Sequence, residues 1–336
     1  MIGFNVKTDN NHWYIVGAGA IGCLWAYALR QAGQDVTMIV KTNTQDSAVK
    51  RHLALQRLSL TTTHTDTKKI DTKKTGTKKT DTENSDVEIN VITASELAAH
   101  NNIIEHCIIA TKAYDAIAAL QSITPALSLS ATVLSLCNGM GMHKTMYQQL
   151  QNHSINIQFL LGVTSDGALL QEPFKVRHTG IGHTSIGHYD PQEYTASLLP
   201  PCFYLQHSLL NNIHPALWQK VLVNCVINPL TLIHQCKNGE LFSNTEYIHQ
   251  IKTLCDELSF IANNTADVTS NITAAALFNT AKSVANQTAE NTSSMLKDSQ
   301  LGRPLELDYL NGYLVKLAKE QGLACPVNEQ LLKVLL

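Results

Sequence analysis

A chain of 336 residues, 44% of them hydrophobic and 15% charged, is long enough to bury the cores of two domains. Its formal net charge of −2 leaves no electrostatic footprint for nucleic acid or an anionic membrane surface. No apolar run reaches the roughly 18 residues of a membrane span, and MIGFNVKTDNNHW lacks a basic-then-apolar leader pattern, so a soluble cytoplasmic protein is expected.

Residues 1–11 read as a lead-in that does not pack. Trp13–Val16 is a short apolar strand, and Gly17-Ala18-Gly19-Ala20-Ile21-Gly22 follows at once, then helical periodicity through Leu24, Ala28 and Leu29. Strand, G-x-G-x-x-G turn and helix make the first unit of a dinucleotide-binding fold. Gly17 permits the tight turn, Gly19 lets backbone approach a pyrophosphate, and Gly22 lets helix and strand pack closely. The helix N-terminus then offers N–H groups to phosphate.

Gly33 ends that helix, and Asp35–Val40 is the second strand. NAD-binding versions carry an acid near its end to accept from the ribose 2′-OH. Lys41 stands there instead; an ammonium cannot accept that bond but can neutralise a 2′-phosphate, which favours NADP.

Residues 61–86 repeat DTKK, DTKK, GTKK, DTEN with almost no apolar side chain, and read as an expanded loop at a hairpin tip with no catalytic role. Order is expected again from Glu88–Thr93. The strand Ile103–Ala110 delivers Lys112 to its carboxyl end, where open α/β sheets bind ligands. Ala131–Leu136 likewise delivers Asn138, and Phe159–Val163 and a β stretch over Val176–Gly187 complete the first half.

From about residue 211 the pattern is helical: Pro215–Gln235, Thr245–Asn263, Thr273–Asn291 and Glu306–Gly322. In the first of these, Lys220, Asn224 and Asn228 recur at i, i+4 and i+8 and share one face, while the residues between them are nearly all apolar. One ammonium and two carboxamides on a mostly buried helix need partners, which points to a polar site facing a ligand. Local pattern leaves two other features open: Ser293 and Ser294 could simply cap a turn, and Glu306 could be an ordinary first-turn acid. The eight cysteines form no C-x-x-C and the histidines no H-E-x-x-H, so buried thiols and no metal are expected.

The set GAGAIG at 17–22, Lys112 at its strand end, NGMG at 138–141, KVLVNCVINPLT at 220–231, NGEL at 238–241, ENTSSMLKD at 290–298 and ELDYLNGYL at 306–314 resembles the ketopantoate reductase (2-dehydropantoate 2-reductase) family. The motifs stand in the family's order and span most of the chain. The resemblance implies an α/β fold: an N-terminal Rossmann-type dinucleotide-binding domain, here 12–210, followed by an all-α substrate domain, 211–336. It implies NADPH as cofactor and ketopantoate as small-molecule substrate, in a monomer or homodimer of pantothenate biosynthesis.

Carried over by motif, Gly17–Gly22 would hold the pyrophosphate, and Lys112, Asn138, Ala168 and Glu306 would approach the cofactor. Asn138 would also reach the substrate, Lys220 would donate the proton, and Asn224, Asn228, Asn238 and Ser294 would surround the substrate. The family often has Arg where Lys41 stands, and the 61–86 segment has no counterpart. Two rival readings are another NADP-dependent 2-oxo acid reductase on the same scaffold and a non-catalytic NADP(H)-sensing protein; the sensor would need the glycine turn but not Lys220 and its paired asparagines.

Overall fold

In the computed structural model, residues 11–41, 49–58, 82–191, 204–265 and 271–336 are described. The lead-in over 1–10 and the bulk of the 61–86 repeat lie outside them. The expected α/β fold is present: an N-terminal domain built on a largely parallel sheet, followed by a helical domain.

The sheet is built from β1 (His12–Val16), β2 (Asp35–Val40), β3 (Val49–Leu58), β4 (Thr82–Thr93), β5 (Ile104–Ile109), β6 (Leu127–Ser135), β7 (Gln158–Thr164), β8 (Gly167–Glu172), β9 (Lys175–Gly180), β10 (Thr184–His188) and β11 (His207–Leu209). Their order is β11-β10-β7-β6-β5-β1-β2-β4-β3-β9-β8. The stretch β7-β6-β5-β1-β2-β4 is parallel throughout. Within it β1, β2 and β7 are mainly apolar and buried, as parallel strands covered on both faces must be.

Two expectations need correction here. Order resumes at Thr82, not Glu88: β4 pairs antiparallel with β3 along its length, Leu58 opposite Thr82, so residues 82–86 are strand rather than loop. The stretch expected over Val176–Gly187 is two strands, β9 and β10, that pair with different neighbours.

The topology curls the sheet, with β11 and β8 left as its edges. β7 and β8 stand far apart in the strand order, yet only Ser165 and Asp166 separate them in the chain. Likewise β9, paired with β3 and β8, runs through a short corner into β10, paired with β7. The curled sheet wraps helix α1 (Ala20–Gln31), which packs against β1, β2, β3, β4, β8 and β9. That is why Gly22 to Leu29 are all buried, with no polar face.

On the opposite face lie α2 (Ala94–Ala99), α3 (Ala113–Ile123) and α4 (Met142–His153). The apolar layer under α3 and α4 runs without interruption into the helical domain. That domain comprises α5 (His214–His234), α6 (Thr245–Asn263), α7 (Ala274–Gln287), α8 (Ser294–Gln300), α9 (Asn311–Glu320) and α10 (Pro326–Leu335). By length and hydropathy α5 could cross a membrane, but 72% of its most apolar window is buried inside the protein, as for a core helix. The helix expected over Glu306–Gly322 is broken: Leu307–Tyr309 is a 3-10 turn, and α9 begins only at Asn311 because Leu310 adopts φ −119°, ψ −108°. Glu306 is therefore not in the first turn of an α-helix.

Candidate active site

The site follows the carboxyl edge of the parallel strands, and the strand order decides which side chains meet. Moving from β2 through β1, β5 and β6 to β7, the strand ends present in turn Lys41, the Gly17–Gly22 turn, Lys112, Asn138 and Thr164. At 4.7–4.9 Å per strand, β1 to β7 spans roughly 14 Å.

At β1, Gly17 has φ +107°, and a Cβ there would meet the Ala110 carbonyl oxygen at 2.8 Å. A Cβ at Gly22 would lie 2.0 Å from the Gly17 carbonyl oxygen, so helix and turn touch through that missing side chain. Gly19 is different: a Cβ there would meet no atom nearer than the Ala110 oxygen at 3.9 Å. The protein's own packing does not demand glycine at 19. No side chain caps the N-terminus of α1, and its first turn carries no acid.

Lys112, at the end of β5, is half-buried and faces two buried carboxylates from the helical domain. Its Nζ donates to Asp298 Oδ2 at 2.5 Å and lies 3.5 Å from Glu306 Oε2. Burial alone would lower the pKa of this ammonium, but Glu306 and Asp298 outweigh it and raise the pKa. The other oxygen of Glu306 accepts from the Ala113 N–H at 2.9 Å, so one carboxylate ties the 3-10 turn to both Lys112 and the start of α3. Met140 N–H also donates to the Tyr309 carbonyl at 2.8 Å across the same seam.

From α5, Lys220 reaches the end of β7, where Nζ donates to the Thr164 carbonyl at 2.9 Å. Burial pulls its pKa down to about 8, with Glu306 acting in the opposite direction. One turn later, Asn224 Nδ2 donates to Asn138 Oδ1 at 2.9 Å, and after another turn Asn228 is buried at 6% exposure. Ser293, not Ser294, caps α8: its Oγ accepts from Leu296 N–H at 3.2 Å and lies 2.6 Å from Thr231 Oγ1. Ser294 is exposed at the first position of that helix. Asn238 donates through Nδ2 to Thr288 Oγ1 at 2.9 Å, while its Oδ1 is buried without a partner.

Lys112 thus pairs with Glu306 and Asn224 with Asn138, while Lys220 holds the Thr164 carbonyl and feels the charge of Glu306. Lys41 and Ala168 stand apart from that group. The Lys41 side chain is 76% exposed and pairs with Asp115 of α3 at 2.8 Å. Ala168 sits in β8, half-buried against the apolar layer around α1.

Two features escape the sequence reading. Asp298, the closest partner of Lys112, lies inside the ENTSSMLKD motif; an acid one helical turn after Ser294 was the available signal. The second is a buried brace behind Thr164. Asp166 accepts from Thr164 Oγ1 at 3.0 Å, from Gly182 N–H at 2.9 Å and from His178 Nε2 at 3.1 Å. Burial would raise the Asp166 pKa, but the His178, Gly182 and Thr164 hydrogen bonds prevail and lower it.

Residues 13–191 match the family model "Ketopantoate reductase PanE/ApbA", and residues 212–336 match its C-terminal model. A 2-dehydropantoate 2-reductase of Vibrio cholerae serotype O1 is 31% identical over 322 residues, covering 94% of this chain and 94% of that protein. A PanE/ApbA family ketopantoate reductase from Ralstonia eutropha JMP134 superposes with TM-score 0.74 at 24% identity, covering 95% of each chain. A D-mandelate dehydrogenase in ternary complex with NADH and anilino(oxo)acetate superposes with TM-score 0.76 at 21% identity, covering 95% of this chain and 96% of that one. With both halves matched in sequence by one family's models and the whole chain by a relative above 30% identity, the chain belongs to the ketopantoate reductase family.

Proposed function

We propose that the protein reduces 2-dehydropantoate (ketopantoate) to pantoate with NADPH, the reduction step on the way to pantothenate and coenzyme A. One observation carries the reading: an ammonium with its pKa drawn down to about 8 shares a helix face with Asn224, which is bonded to Asn138 at the carboxyl edge of the sheet. The proposed division falls near residue 210, between β11 and α5, with a cofactor domain over 12–210 and a substrate domain over 211–336.

The residues fit a dinucleotide. The open space at Gly19 and the uncapped, acid-free start of α1 suit a pyrophosphate. Gly17, Ala18, Gly19, Ala20, Ile21 and Gly22 would hold it, Lys41 would face the 2′-phosphate, and Lys112, Asn138, Ala168 and Glu306 would line the remainder. When bound, NADPH supplies the hydride. Lys220 polarises the substrate carbonyl and gives its proton to the developing alkoxide. Asn224 and Asn228 hold the substrate hydroxyl as donor and acceptor together. The Ser294 hydroxyl binds the carboxylate, and Asn238 lies beside it as a supporting group.

A second reading, reduction of a different 2-oxo acid, is favoured by the fold shared with the D-mandelate dehydrogenase complex. Steady-state turnover with ketopantoate and with an aryl 2-oxo acid, each with NADPH and NADH, separates the possibilities. Ketopantoate with NADPH is expected to give the highest kcat/KM. A higher value for the aryl acid would establish the second reading, and binding of NADPH without turnover of either acid would indicate a sensor.

Cofactor choice turns on Lys41. Its partner Asp115 is a largely exposed pairing worth little, about 0–1 kcal/mol, which a phosphate can displace. Lys41→Asp would set two carboxylates against the 2′-phosphate. The NADPH-to-NADH ratio of kcat/KM is expected to fall at least about tenfold. A ratio unchanged from wild type would remove Lys41 from the cofactor site.

Glu306 tests the electrostatics. Its negative charge favours the protonated form of Lys220. Glu306→Gln should therefore move the alkaline decline of kcat/KM to lower pH, while the protein still melts cooperatively. A pH profile superposable on wild type would leave Glu306 with a purely structural role.

A further inference from the structure

Helix α5 contains a proline directly after the second asparagine of its polar face: Asn224-Cys225 and Asn228-Pro229 stand one turn apart. Pro229 has no N–H, and its ring presses on the carbonyl four residues back, that of Cys225. Cys225 is fully buried in the core of the helical domain, so that carbonyl has no water to turn to. It is not orphaned. Asn311, at the start of α9, donates its Nδ2 to the Cys225 oxygen at 3.0 Å.

The direction of that donor is fixed by a chain of contacts. Asn311 Nδ2 also donates to Asn328 Oδ1 at 2.8 Å, and Asn328 Nδ2 donates to Glu257 Oε1 at 2.8 Å. A carboxylate can only accept, so Glu257 dictates the orientation of the Asn328 amide, and Asn328 dictates that of Asn311. Glu257 itself is held by the Val327 and Asn328 N–H groups, at 2.8 and 2.7 Å, at the start of α10. Asn311 and Asn328 have no measurable exposure, and Asn311 leaves its own Oδ1 buried without a partner. What this position supplies is a donor.

We propose that Asn311, oriented by Asn328 and Glu257, is a positioning residue that replaces the N–H Pro229 lacks and so fixes the turn of α5 between Asn224 and Asn228. This rests on the reading of that helix face as the substrate site. Through the replacement, α9, α10 and α6 clamp the interrupted helix from behind, and the spacing of the two carboxamides is set by residues that touch neither substrate nor cofactor.

A double-mutant cycle over positions 311 and 229 tests it. Asn311→Leu keeps the branching of the side chain and removes both donors; it is expected to raise the ketopantoate KM about tenfold, with the NADPH Kd from fluorescence titration within about twofold of wild type. In a Pro229→Ala background residue 229 has its own N–H for Cys225, so the same substitution should change KM by less than about twofold. An unchanged KM in Asn311→Leu, or equal effects in both backgrounds, would overturn the proposal. Melting temperatures of the four proteins form a second cycle that needs no substrate, and positions acting independently there would overturn the replacement of the hydrogen bond. Wild type that fails to reduce ketopantoate would refute the functional reading, while the thermal cycle still decides the pairing of Asn311 with Pro229. If Asn311→Leu does not fold, Glu257→Gln, which loosens the orientation but keeps the donor, should raise KM about threefold, and no change would overturn the proposal.

Discussion

Replacing Lys220 by Ala is expected to lower kcat for ketopantoate reduction at least about 10²-fold, the lower end of what a positioned acid contributes and about 2.7 kcal/mol of barrier. NADPH affinity should hardly change, since the glycine turn belongs to the other domain. Lys220→Arg should fail almost as badly, because a guanidinium keeps the charge but does not surrender its proton. The wild-type pH profile gives an independent check. Only the ammonium form can donate, and burial draws its pKa to about 8, so kcat/KM should fall as pH rises through that value. Asn224→Ala should act mainly on KM, as loss of a contact made in ground and transition states alike would. A Lys220→Ala enzyme with wild-type kcat and only a raised KM would make Lys220 a carboxylate anchor instead of an acid.

The second large effect is expected in the glycine turn, where two outwardly similar substitutions should part company. Gly22→Ala forces a methyl to within 2.0 Å of the Gly17 carbonyl, so turn and helix must separate. Melting temperature should drop by several degrees, and NADPH Kd should rise on the order of 10²-fold. Gly19→Ala meets no atom closer than 3.9 Å, so the protein should melt as wild type does and yet bind NADPH at least about tenfold more weakly. Thermal denaturation and fluorescence titration of both variants distinguish the cases. Equal NADPH affinity in Gly19→Ala and wild type would mean the pyrophosphate does not lie there.

These sites were readable to very different degrees. The strand, glycine turn and helix of residues 12–31 are contiguous, so local pattern was enough, and the i, i+4, i+8 face of α5 likewise needs only helical geometry. Lys112 could be placed at an edge by rule, but its partner Asp298 lies 186 residues away in the chain. In sequence Glu306 reads as the head of a helix because nothing local announces the break at Leu310. Its bond to Ala113 N–H bridges 193 residues. Strand β3, VKRHLALQRL, carries interleaved charges that give no strand signal, and its β4 partner lies beyond the TKK repeat. The bond from Asn311 to Cys225 is invisible for the same reason, since a proline announces a missing donor but not where the substitute comes from.

The curled sheet around α1 has an electrical consequence. A helix on a protein surface has its dipole field spread and screened by water along one flank, whereas α1 is sheathed in apolar side chains from Gly22 to Leu29. The sheath acts as an insulating sleeve, and field lines that cannot leak sideways emerge where the sleeve opens. At the far end Arg30 is paired with Asp35 at 2.6 Å, while at the near end no carboxylate sits in the first turn to cancel the positive pole. The mouth of the sleeve at Gly19 is thus a fixed positive terminus made almost wholly of backbone. Raising the salt concentration should weaken the hold on an anion there far less than at the exposed Lys41.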